Sequence, residues 1–143
     1  MELCGKPGRA ACIIIALLSF FIVAIKAGRA ELIHFPEPHR SSGNMSVLVL
    51  IITGIEVVPG SELAALTPDS IVAGAEELVG DSLWGMAVWK DDETTDEKDG
   101  FQEGETIRFV FWDPTLQMEL PASVTEFVRG NDLRYETNGL LVI

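Results

Sequence analysis

Eight carboxylates crowd into residues 91–105 (DDETTDEKDGFQEGE), against the single ammonium of Lys98. Asp91, Asp92, Glu93, Asp96, Glu97, Asp99, Glu103 and Glu105 repel one another unless something neutralises them. Outside a cell the usual neutraliser is calcium, which gathers about six to eight oxygens from carboxylates and carbonyls. For such an ion the candidate ligands are Asp91, Asp92, Asp96 and Asp99, with Glu105 in reserve. The spacing is not that of an EF-hand. With Gly100 at the sixth loop position, Thr95 falls at the first and Thr106 at the twelfth, where carboxylates are required. A calcium site here would be irregular; the alternative is an acidic loop that stays open and solvated.

The rest of the chemistry-bearing residues are sparse. His34 and His39 flank Glu37 in HFPEPH, but zinc wants three or four ligands on rigid elements, so surface residues are the expectation. Trp84, Trp89 and Trp112 could form an aromatic platform for sugars. Trp89 and Trp112 close apolar runs beside the acidic loop and are expected to seal a core. Trp84, between Ser82 and Gly85, is the one expected to be exposed and to contact a ligand. No serine sits in a Gly-x-Ser-x-Gly elbow. Glycoside hydrolysis needs two carboxylates at a set separation, one with a raised pKa, and a solvated acidic loop signals neither. The expectation is a noncatalytic protein. Asn44-Met45-Ser46 fits a glycosylation sequon, but it leads into an apolar strand.

These residues need elements to hold them, and the first thirty residues are not among those elements. Lys6 and Arg9 precede an unbroken apolar run, residues 13–25, and Gly28-Arg29-Ala30 offers small residues for cleavage. This is the order of a secretory signal peptide over residues 1–30. A retained membrane anchor is the rival reading, but about 13 residues of helix cover only roughly 20 Å of a hydrocarbon core about 30 Å thick. The protein is therefore expected to be exported, to the periplasm, the cell surface or the medium. Both cysteines, Cys4 and Cys12, fall in this segment, so residues 31–143 must cohere without a disulfide. They carry 21 acidic and six basic side chains, a net charge of −15. A field of that sign repels phosphate backbones and argues against nucleic-acid binding. It leaves a glycan or a cell-surface protein as the expected kind of partner.

Residues 31–43, with two prolines and a Ser-Ser-Gly, form an extended lead-in. Residues 44–58 are dense in β-branched side chains and predict a long strand covered on both faces, or one running on past Gly54. Further strands are expected over 62–66, 70–78, 83–90, 106–112, 124–129, 133–137 and 140–143. Asn138-Gly139 between the last two predicts a hairpin. About eight short strands with frequent turns predict an all-β antiparallel sandwich over residues 44–143, Ig-like or jelly-roll-like.

Residues 87–105 (AVWKDDETTDEKDGFQEGE) also resemble a recurrent signature of exported bacterial β-domains. That signature is an apolar-Trp pair, Gly-Asp-Asp, a Thr-bearing spacer, Asp-Gly-Phe, then Gly-Glu and a strand ending in Trp-Asp. The modules are common in large secreted or surface proteins of Bacteroidetes-type bacteria, frequently near a type IX secretion sorting domain. Asn44-Met45-Ser46 resembles the family's opening strand, residues 60–75 its turn-back segment, and residues 135–143 its closing hairpin. Two positions depart: Lys90 stands where a Gly is usual, and Ser70 replaces a turn Gly. The resemblance implies a secreted sandwich module, structural or adhesive, with no established ligand or activity.

Overall fold

The computed structural model describes residues 31–143 apart from Ser82 and Asn131. The expected signal segment and both cysteines lie outside the described residues. Seven strands form in chain order: β1 (Asn44–Val49), β2 (Glu62–Leu66), β3 (Val72–Glu77), β4 (Trp84–Trp89), β5 (Arg108–Asp113), β6 (Met118–Ala122) and β7 (Leu140–Val142). They make two sheets, ordered β4-β1-β7 and β3-β2-β5-β6, with no helix among the described residues. This is the all-β sandwich that the spacing of turns predicts.

Alternation sets the inward faces. Met45, Val47 and Val49 of β1 are buried, as are Trp84, Met86 and Val88 of β4 and Phe109 and Phe111 of β5. Leu63, Leu78, Ile107 and Leu141 complete the core between the sheets. Each such side chain contributes roughly 1.5–3 kcal/mol on full burial. β2 is buried on both faces because the lead-in covers the outer one. Phe35 packs there on Ala64 and Ala75, with Leu32, Val110 and Trp112 around it.

A buried carboxylate fastens this cover. Glu62 is fully enclosed and accepts three consecutive backbone N–H groups, those of Ile33, His34 and Phe35. Three donors in place of water are what such a buried acceptor requires.

The two long edges of the sandwich differ. At one, β3 meets β4 so closely that a Cβ on Gly74 would come within 3.0 Å of the Ala87 carbonyl oxygen and of Val88 Cγ2. Glycine lets the sheets touch backbone to backbone and closes that edge. At the opposite edge, formed by β6 and β7, the sheets are not packed together in this way, and a cleft opens between β6 and the segment that follows β1.

Four expectations about strands need correction. The long apolar run is a strand only over Asn44–Val49, because β4 begins at Trp84, opposite Val49, and no antiparallel partner remains beyond it. Ile52, Ile55 and Val57 instead fold back irregularly onto the core. Residues 124–129 and 133–137 contribute only single bridges, Arg129 to Val142 and Arg134 to Thr106. Asn138-Gly139 does form a turn, with Asn138 at φ 63° and Gly139 N–H bonded to Glu136. It does not join a hairpin: Tyr135 hydrogen-bonds Glu105, while β7 runs parallel to β1, Ser46 opposite Leu140. Long-range partners override the local turn signal. Finally, β6 was not expected, since Met-Glu-Leu-Pro-Ala has weak strand propensity. Its register with β5, Phe111 opposite Leu120, is set by an Asx turn in which Asp113 Oδ1 accepts from Thr115 N and Leu116 N.

Candidate functional site

The acidic loop is a folded object rather than an open one. Its base is pinned where Asp91 N–H donates to Phe101 O at 2.8 Å and Phe101 N–H to Trp89 O at 3.0 Å. Phe101 is fully buried and stacks on Tyr135, ring centroids 5.2 Å apart. Gly100 is obligatory: a Cβ there would overlap the Lys90 carbonyl and the Asp91 nitrogen. Asp-Gly-Phe therefore closes the loop, with the glycine allowing the close approach and the phenylalanine plugging the core.

Within the loop, carboxylates face amides and hydroxyls. Asp91 Oδ1 accepts from Asp99 N–H at 2.9 Å, and Asp99 Oδ1 accepts from Asp92 N–H, also at 2.9 Å. Asp92 Oδ1 takes both the Thr94 hydroxyl, at 2.7 Å, and the Thr94 N–H, at 3.0 Å. Asp99 Oδ2 takes the Thr95 hydroxyl. The Asp99 N–H holds the Asp91 carboxyl below its usual range, and the Thr94 hydroxyl does the same for Asp92. Lys98 joins two acids, Glu105 and Asp69 of the β2–β3 turn. Burial works against its charge, but the hydrogen bonds to the two carboxylates outweigh this and raise its pKa.

The proposed calcium ligands are thus placed as follows. Asp91, Asp92 and Asp99 share one hydrogen-bonded cluster, Glu105 is committed to Lys98 and the Gln102 N–H, and Asp96 stands exposed. Among the described residues, no three His, Cys, Asp or Glu side chains gather as a metal-ligand set.

The histidines take separate partners. His39 Nε2 lies 3.6 Å from Asp92 Oδ2 and 3.5 Å from Asp99 Oδ2, tying the lead-in to the acidic loop. His34 stacks on Trp112, centroids 3.6 Å apart, and its Nε2 is 2.8 Å from Glu119 of β6.

Trp84 is a correction. It is 6% exposed and donates its indole N–H to Val79 O at 3.1 Å. Trp84 is in phase with Met86 and Val88, so its ring turns inward, and the exposed position is Leu83. The sugar platform loses its principal member.

One feature of the surface had no counterpart in the sequence reading: a cleft of about 720 Å³ at the open edge of the sandwich. The buried Val49, Leu63, Phe109 and Phe111 form its floor, and the partly buried Leu120 and Ile52 also line it. Only the surplus of apolar residues over 49–55 and 120–128 hinted at it. Comparison of the chain with family models, with curated proteins and with solved structures gives no match.

Proposed function

We propose that the protein is a noncatalytic, exported surface module that presents the acidic loop to a partner. The observation that carries this is the construction of the loop. Its base is fixed by Phe101 and by the hydrogen bonds from Asp99 N–H to Asp91 and from Asp92 N–H to Asp99, while Glu93, Asp96 and Glu97 remain exposed at its tip. An acidic tip on a fixed base, carried by residues 31–143 of net charge −15, suits a basic protein surface by electrostatic complementarity. The resemblance to exported bacterial sandwich modules supports the same reading. So does Ser70, at φ 68°, which takes the left-handed conformation natural to the glycine of that signature.

Calcium enters this reading as an optional ligand of Asp91, Asp92, Asp96 and Asp99. It would have to exchange the hydrogen bonds of Thr94, Thr95 and the Asp92 and Asp99 amides for bonds to the ion. Thermal melting in millimolar calcium and in chelator decides the point, since a ligand of the folded state alone raises Tm by mass action. A higher Tm in calcium would assign the ion to the loop, and coincident curves would remove it from this reading. Export is tested by locating the chain in cell fractions and sequencing its N-terminus. Recovery only from the cytoplasm, with residues 1–30 intact, would overturn the proposal.

A further inference from the structure

We infer that the cleft at the open edge of the sandwich binds a single apolar molecule whose polar end is uncharged or cationic. The volume, about 720 Å³, lies within the roughly 300–1,000 Å³ of small-molecule sites. Its floor is built from both sheets, so an occupant would insert between them rather than lie on a face. Protein interiors seldom leave unfilled space larger than a water molecule, because apolar walls without neighbours forfeit dispersion contacts. Exposed Ile51 and Val128 extend the apolar surface to the mouth.

The rim sets the head group. Thr53, Ser123 and Thr125 bring hydroxyls to the lining, and Glu126 is the one charged residue there. With no Lys, Arg or His in the lining, a carboxylate or phosphate would meet Glu126 and a body of net charge −15 without a counter-ion. An uncharged or positive end meets no such opposition. The flanking strands argue for a small molecule over an inserted peptide strand. Val142 of β7 already exchanges hydrogen bonds with Val128 and Arg129, and Pro121 removes a donor from β6.

The test uses the protein as recovered from cells, titrated with the neutral fluorophore N-phenyl-1-naphthylamine. Dodecyltrimethylammonium and laurate, both as monomers, are the competitors. Saturable binding at one site per chain is expected, displaced by the cation and not by laurate. Ala122, on β6 opposite Phe109, projects at the cleft. Ala122→Phe should weaken the probe by about tenfold or more through loss of its space, with Tm kept or raised. Glu126→Lys should make laurate a competitor, an arm that does not depend on filling the core. Absence of saturable binding overturns the inference. So does unchanged affinity in Ala122→Phe, or laurate rejected as before in Glu126→Lys. A concentration-dependent dimer that does not take up the probe would assign the cleft to self-association instead.

Discussion

Replacing Glu62 by glutamine tests how the lead-in is held. The native carboxylate offers one oxygen to the N–H groups of Ile33 and His34 and the other to that of Phe35. Glutamine has one carbonyl oxygen, so its NH₂ must face at least one of these donors. Hydrogen bonds to a charged acceptor are worth roughly 1.5–3 kcal/mol, and a buried donor left unpaired costs about 1–3 kcal/mol. Keeping two bonds in neutral form and orphaning the third gives an expected loss of about 2–4 kcal/mol for Glu62→Gln. Glu62→Ala, which removes all three acceptors, should lose more than Glu62→Gln, since each buried donor left unpaired costs about 1–3 kcal/mol. The lead-in can detach before the sandwich unfolds, so two readouts are needed: the urea midpoint, and amide exchange at Ile33, His34 and Phe35. Faster exchange at these amides in Glu62→Gln is the expected signature. Unchanged exchange together with an unchanged midpoint would refute the reasoning.

Further outcomes follow from other contacts. Asp91 and Asp92 are held below the ordinary value of 3.8, so their contribution is present above that pH and is lost as pH falls through their lower folded values. Protection of the Asp92, Thr94 and Asp99 amides, taken relative to their intrinsic exchange rates, should fall between pH 5 and pH 2, and Asp91→Asn should abolish part of the dependence. Gly100→Ala should cost more than about 2 kcal/mol by urea denaturation, because the added carbon overlaps backbone that cannot move. Leu83, exposed and at φ 68°, carries the strain of a left-handed conformation. Leu83→Gly should relieve part of roughly 1–2 kcal/mol and leave Tm unchanged or higher.

Much of the scaffold was legible from residue order. Alternation of Ile107, Phe109 and Phe111 with Arg108 and Val110 placed one central strand directly, and the density of β-branched residues after Asn44 placed the start of another. Strands β2, β3 and β4 were found to within a few residues. What misled was local chemistry overruled at long range. Ile51 through Val58 have strand-forming side chains but no neighbouring strand to bond. Pro121 hid an edge strand whose register is fixed by the preceding Asp113 turn; Asp113-Pro114 was the signal available for it. At the acidic loop the carboxylates were evident, but their partners were not. The bonds that link Asp91, Asp92 and Asp99 and the His39 and Lys98 ion pairs depend on how the chain returns on itself. Trp84 shows the opposite failing: its flanking Ser82 and Gly85 suggested exposure, when its phase with Met86 and Val88 carried the information.

The parallel pairing of β7 with β1 bears on the order of events in the life of the chain. Ser46 and Leu140 are neighbours in the sheet although about ninety residues apart in sequence. While the polypeptide grows, β1 has β4 on one side and nothing on the other, and Leu141 has not yet reached the core. Contacts this distant make folding slow. Strand β7 therefore acts as a latch: the sheet that holds β1 is complete only once residues 140–142 have joined it.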